Sequence, residues 1–169
     1  DVLLGNYNPA GRLPITFYRA TEDLPGFNDY GMNGRTYRYF AGKPLFPFGH
    51  GLSYTQFAYA DLRVAPNADG SLTATVAITN RGARDGDEVV QLYATPPAGA
   101  CPGELQSLCG FRRVHLAKGE TQTVTITVPV TALRRWNTAQ GDFAVPRGAW
   151  TIRAAASAAD IRQQATVKL

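Results

Sequence analysis

The sequence predicts a mainly β protein: an antiparallel β-sandwich preceded by a long, aromatic-rich extended segment with a short helix end and strand. Three observations carry this. After Phe57, short runs of alternating apolar and polar residues recur about every 8–12 residues between turn signals. The 17 Gly and 11 Pro are too many for a helical bundle and ordinary for β structure with many turns. Between Phe17 and Phe57, Tyr and Phe recur with neither the strand period of 2 nor the helix period of 3.6. A hydrophobic content of 44% suffices for a core and excludes wholesale disorder. The 169 residues suit one domain plus an appendage. They are too few for a (β/α)8 barrel of about 250 residues.

Taken in chain order, Asp1–Leu4 reads as the end of a helix and Leu13–Phe17 as a short strand. The stretch that follows is punctuated by Leu24-Pro25-Gly26, Met32-Asn33-Gly34 and Pro47-Phe48-Gly49, and reads as one long ordered loop. Its aromatic content is too high for a disordered linker, so it is expected to lie against a surface. Tyr59–Val64 is the first strand of the sandwich, closed by the turn residues Asn67-Ala68-Asp69-Gly70. In Ser71–Thr79, Leu72, Ala74, Val76 and Ile78 alternate with threonines. Glu88–Thr95 is rich in strand formers. Phe111–Leu116 and Thr121–Val128 follow, the latter placing Val124, Ile126 and Val128 inward. Thr131–Trp136 reads as a helical turn. Asp142–Val145, Ala149–Ala155 and Ile161–Leu169 complete the set of about eight strands.

Charge excludes several classes of function. The 17 basic and 13 acidic side chains give a net charge of +4. The densest basic groups are the pairs Arg112-Arg113 and Arg134-Arg135, not the stripe or run a nucleic-acid binder shows. No apolar stretch approaches the roughly 20 residues of a membrane span. Cys101 and Cys109 have no neighbouring His and are too few for a zinc site, so no metal and no cofactor is expected. Their spacing closes a loop worth roughly 2–3 kcal/mol if bridged. Both a disulfide formed in an oxidising compartment and two free thiols stay open.

Catalytic constellations are missing. Glycoside hydrolysis needs two carboxyls about 5 Å or about 6.5–9.5 Å apart. The densest acidic group, Asp85, Asp87 and Glu88, reads as turn chemistry beside Gly86. Glu22, Asp23 and Asp29 read as contacts. His50, between two glycines, reads as a packed loop side chain, and His115 as a surface position. No nucleophile elbow, phosphate-cradling loop or zinc-protease motif occurs. Parity with Ile152 points Trp150 inward, and Trp136 is expected to cover an end of the sandwich; core packing is preferred over sugar stacking for both. The better candidate for a binding edge is the aromatic loop, where Tyr30, Tyr37, Tyr39, Phe40 and Tyr54 accompany Arg35 and Arg38.

Three blocks resemble one family. They are Asp1–Phe17 with Asn8-Pro9-Ala10-Gly11-Arg12-Leu13-Pro14; Gly34-Arg35-Thr36-Tyr37-Arg38-Tyr39-Phe40 through Pro47-Phe48-Gly49-His50-Gly51-Leu52-Ser53-Tyr54; and Thr79-Asn80-Arg81-Gly82 through Gln91-Leu92-Tyr93 and Gly110-Phe111. Together they resemble the C-terminal portion of glycoside hydrolase family 3 enzymes of the β-xylosidase/β-glucosidase type, across essentially the whole chain. The resemblance implies that 1–17 are the terminal helix and strand of an α/β sandwich domain. It makes 18–57 an inter-domain connecting strap and 58–169 an immunoglobulin/fibronectin type III-like domain. The parent would be an exo-acting, retaining β-glycosidase, periplasmic or secreted, that removes non-reducing-end sugars from β-linked oligosaccharides. Its catalytic carboxylates would lie in an N-terminal barrel and in the α/β domain upstream, so no catalytic residue is assigned here. The Gly34–Phe40 block looks more like the β-xylosidase-type members. Asp29, Tyr30, Arg35 and Tyr37 are the candidate substrate-binding residues at a loop edge. Cys109 stands where the family usually has a basic or polar residue before Gly-Phe, which with Cys101 favours a local bridge.

Two functions compete. One is a structurally supportive C-terminal piece, inactive alone, whose partners are the barrel and α/β domains of the same enzyme. The other is a stand-alone carbohydrate-binding or adhesion module. Residues 1–17 favour the first, because a free module has no need of one helix end and one strand with an unpaired edge. Met32 is the only methionine and no signal peptide leads the chain, which fits a piece of a longer enzyme.

Overall fold

The alternating segments pair as their patterns require. In the computed structural model, which describes residues 1–169, nine strands form two facing antiparallel sheets and a small hairpin. The strands are β1 (Phe57–Pro66), β2 (Leu72–Asn80), β3 (Gly86–Thr95), β4 (Ser107–Leu116), β5 (Thr121–Val128), β6 (Arg135–Asn137), β7 (Asp142–Ala144), β8 (Ala149–Ser157) and β9 (Asp160–Lys168). One sheet has the order β1-β2-β5 and the other β4-β3-β8-β9, with β6-β7 as the hairpin. Register places Leu72 opposite Val128, Ala74 opposite Ile126 and Val76 opposite Val124. These side chains meet Val90, Leu92, Trp150 and Ile152 of the facing sheet in one core. Trp150 is fully buried, and its indole N–H donates to the Pro146 carbonyl at 2.9 Å, so the polar edge of the ring is not stranded.

β3 departs from simple alternation. Val90, Leu92 and Ala94 face the core, yet Gln91 and Tyr93 on the opposite face are buried as well. Residues 1–56 cover that outer face. They contain one 3-10 turn at Thr21–Asp23 and a single helical turn, α1 (Thr36–Tyr39). The helix end expected at Asp1–Leu4 is only a turn, closed by Gly5 N–H to Val2 O and Asn6 N–H to Asp1 O. Leu13–Phe17 does not form a strand. It runs beside 46–50 with one β-bridge, Phe17 to Phe46, and reciprocal bonds from Leu13 N–H to His50 O and from Gly49 N–H to Leu13 O. With no further strand beside it, the segment has too few partners to make a ladder.

Two other expectations are corrected. β4 starts at Ser107, four residues earlier than Phe111, because Leu108 pairs with Tyr93 and Ser107 with Ala94. The register slips between these pairs and Leu92–Gly110, which makes Cys109 a bulge residue. Its side chain turns into the core and its thiol lies 3.3 Å from the Leu92 carbonyl. Cys101 stays in the β3–β4 loop, and the two cysteines are not bonded to each other in this structure. Trp136 is not a core residue. α2 (Val130–Leu133) buries Leu133, after which Trp136 emerges on β6 with 58% of its surface exposed.

Candidate functional site

The junction between the leading segment and the sandwich buries a cluster of polar side chains. Glu88 has the same parity as Val90 and Leu92, so the strand aims it inward at one end of the sandwich. Tyr59 of β1 meets it there, donating its phenol to Glu88 Oε1 at 2.6 Å. Arg12 enters from the leading segment and donates Nη2 to Glu88 Oε2 at 2.9 Å. The carboxylate side chain is 3% exposed and that of Arg12 12%, so this is a buried ion pair with a third, hydroxyl donor. Burial pushes the Glu88 carboxyl above its ordinary range, against the opposing pull of the Tyr59 hydrogen bond and the Arg12 charge. Burial and the neighbouring Glu88 charge likewise raise the Tyr59 phenol. A groove of about 650 Å3 opens beside them, lined among others by His50, Arg81, Asp160 and Arg162.

A second buried carboxylate repeats the arrangement. Glu104, 2% exposed, receives Arg135 through Nε (2.7 Å) and Nη2 (2.8 Å) and Arg38 of α1 through Nη2 at 3.1 Å. Here burial also pushes the carboxyl up. The Arg135 hydrogen bonds and charge, then Arg38, outweigh it and hold the group below its usual range. The leading segment is thus pinned to the sandwich by one arginine at each of two buried carboxylates. Backbone contacts fill the space between. Gln91 donates to the Gly49 carbonyl, Ala158 N–H to Phe48 O and Leu105 N–H to Arg38 O. Gly49 sits at φ +78°, and a Cβ there would collide with the Gln91 amide, so glycine is required both by conformation and by close approach.

The four candidate substrate-binding residues separate. Asp29 Oδ1 accepts from Gly31 N–H at 2.8 Å, and Arg35 donates to the carbonyls of Gly31 and Asp29, closing a tight exposed loop. Tyr30 projects from that loop with 89% of its surface in water. Tyr37 turns the other way. It stacks on Phe48 at 4.2 Å, meets Tyr93 edge-on at 5.7 Å and accepts from Leu108 N–H at 3.0 Å. Asp29, Tyr30 and Arg35 therefore share one surface loop, while Tyr37 belongs to the junction. His50 packs against Phe46, with ring centroids 5.3 Å apart, and His115 lies exposed with Nδ1 2.6 Å from Asp87.

The acidic trio also needs correction. Asp85 accepts from Lys118 N–H as a turn residue does, but Asp87 pairs with Arg113 and Glu88 is the buried anchor. Sequence reasoning missed Glu104 altogether; only its place near Cys109 in a Pro-Gly loop was visible. Chemically, both buried carboxylates are already engaged by donors. Glu88 is bound by Tyr59 and Arg12, and Asp160 in the same groove is ion-paired with Arg162. The arrangement holds two parts of the chain together.

Two family models match separate parts of the chain. A model described as the glycosyl hydrolase family 3 C-terminal domain matches residues 1–54. One described as a fibronectin type III-like domain matches 88–158. A xylan 1,4-beta-xylosidase of Xylanibacter ruminicola is 39% identical over 161 residues, covering 95% of this chain and 18% of its own length. The periplasmic beta-glucosidase of Salmonella typhimurium is 38% identical over 152 residues, covering 81% of this chain and 20% of its own. The chain thus spans about a fifth of the length of these relatives. Among solved structures, the beta-glucosidase DesR from Streptomyces venezuelae, in complex with D-glucose, superposes with a TM-score of 0.90 at 35% identity. It covers 99% of this chain and 24% of that one. The Beta-D-glucoside glucohydrolase from Trichoderma reesei gives 0.90 at 32% identity, over 99% and 28% of the two chains. The two domain matches and these relatives agree: the chain belongs to glycosyl hydrolase family 3, corresponds to the C-terminal part of these relatives and includes a fibronectin type III-like domain.

Proposed function

We propose that this chain is the supporting C-terminal part of an exo-acting, retaining β-glycosidase that takes single sugars from β-linked glucosides or xylosides. In this reading the reaction's carboxylates lie in other domains of the same enzyme, a barrel and an α/β domain, and the sandwich braces them. Residues 1–17 would complete the α/β domain, and 18–57 would strap it to the sandwich. The names of the relatives support the substrate class, and a periplasmic relative supports a periplasmic or secreted enzyme. No helix is long and apolar enough to cross a membrane.

One observation carries the proposal. Residues 1–56 commit Arg12, Arg38, Asn8 and Gly49 to the sandwich while turning Leu3, Leu4, Phe27, Tyr30 and Leu52 outward, each at least 71% exposed. A segment bound by its polar groups and apolar on its other side is built to be covered again. Asp29, Tyr30 and Arg35 would then sit at the edge of the shared surface, within reach of a substrate held between domains. The test is turnover of nitrophenyl β-xyloside and β-glucoside. The pure chain is expected to show none, and robust hydrolysis by it would refute the assignment of chemistry to other domains.

A further inference from the structure

The hairpin β6-β7 presents the one exposed tryptophan of the molecule. Trp136 pairs directly with Phe143 across the hairpin, with ring centroids 5.4 Å apart in an edge-on arrangement. The two rings are 58% and 56% exposed. An indole left so far in water keeps most of its apolar face unburied. The Phe143 edge fixes the ring, so it offers a flat apolar face already oriented.

That face borders a groove of about 790 Å3 that shares no residue with the junction groove. Pro102, Asn137, Gln140, Pro146 and Arg147 line it beside Trp136, and no carboxylate does. Asn137 spends its carbonyl oxygen on the N–H groups of Ala139 and Gln140, which leaves its amide N–H2 available as a donor. Arg135 is consumed by Glu104, Ser107 and two backbone carbonyls. Arg147 is exposed and takes part in none of the ion pairs of the chain. The groove therefore combines an aromatic platform, amide donors and one uncommitted guanidinium.

We propose that this groove binds a β-linked glycan bearing a uronic acid. A pyranose ring stacks its apolar face on Trp136. Hydroxyls accept from Asn137 and Gln140, and the uronate carboxylate pairs with Arg147, a geometry suited to the planar guanidinium. This surface lies wholly on the sandwich and is independent of the supporting role proposed above. Its test reads binding rather than turnover, so either proposal can fail alone.

The full 169-residue chain is titrated with a β-1,4-xylo-oligosaccharide carrying one glucuronic acid branch, and with its unbranched counterpart. Trp150 is fully buried, so a change in tryptophan fluorescence reports Trp136. The expected result is a saturable shift, with the acidic sugar bound at least about fivefold more tightly. Calorimetry of Trp136→Ala should show binding lost with the melting temperature unchanged, and Arg147→Gln should abolish the preference for the acidic sugar. Absence of saturable binding of either sugar, or undiminished binding to Trp136→Ala, overturns the site. Equal affinity for both sugars overturns the assignment of a uronate.

Discussion

Residues 1–56 and the sandwich that follows are held by different physics. Only Ala10, Gly49 and Thr55 are buried in the first part, whereas the sandwich assembles a continuous apolar core around Trp150. The sandwich is stabilised by area removed from water, spread over many side chains. The leading segment is fixed at points: two arginines on buried carboxylates, Asn8 bridging Asp85 O to Ser53 and Tyr54 N–H, the Gln91 side chain on Gly49 O, and backbone bonds to the β3–β4 loop and the β8–β9 turn. A core tolerates the loss of any one small contact, while a segment fixed at points depends on each of them.

The largest expected effect lies in the core. Trp150→Ala should cost about 3–5 kcal/mol in denaturant unfolding, the range for truncated buried aromatics. Trp136→Ala, on the exposed hairpin, should stay within about 0.5 kcal/mol. Equal effects would erase the distinction between the two tryptophans.

Next comes the anchor. Glu88→Ala strands the Arg12 guanidinium in a buried site and should cost about 3 kcal/mol. Asp87→Asn, whose partners Arg113 and His115 are more than half exposed, should cost under about 1 kcal/mol. A smaller loss is expected for Gly49→Ala, about 2 kcal/mol from the positive φ and the collision with Gln91. Here the position of the damage matters more than its size. Amide exchange should quicken in residues 1–56 and remain slow in β2 and β5; uniform quickening would show that the two parts unfold as one.

The smallest effect separates the two anchors by sign. The Glu88 carboxyl is raised above 4.5 in the fold, so the folded state holds its proton longer than the unfolded chain. Its contribution is therefore fully present below that value and declines as pH climbs through the folded pKa. Glu104 is lowered below 4.5, so its contribution is present above that value and declines as pH falls. Melting temperature followed from pH 3 to 7 should change slope in opposite directions in Glu88→Gln and Glu104→Gln. Parallel curves would remove the distinction between the anchors.

What could be read from the chain follows the same division. β2 and β5 were legible almost to their ends, because one wet face and one dry face write period 2 into the sequence. β3 hid its second buried face. Gln91 and Tyr93 look like solvent-side residues until the leading segment is laid over them. The family blocks gave the domain type, but no local pattern showed that Leu13–Phe17 lacks strand neighbours. Glu88 reads as turn chemistry because Asp85, Gly86 and Asp87 precede it; only its parity with Val90 marks it as inward. Glu104 has no periodic neighbours at all, and its role arises from arginines 66 and 31 residues away in sequence.

These separations also set a timetable during synthesis. Arg12 leaves the ribosome 76 residues before Glu88, and Phe48 precedes the Ala158 amide that binds it by most of the sandwich. At about 5–20 residues per second, the aromatic segment waits roughly 5–20 s for the last strands that hold it. During that interval Leu3, Leu4, Phe27 and Tyr30 sit on a segment whose sandwich still lacks β8 and β9. A chain halted before β8 already carries Glu88 and Glu104 but lacks the Ala158 amide, and so meets its surroundings with this segment only partly fastened.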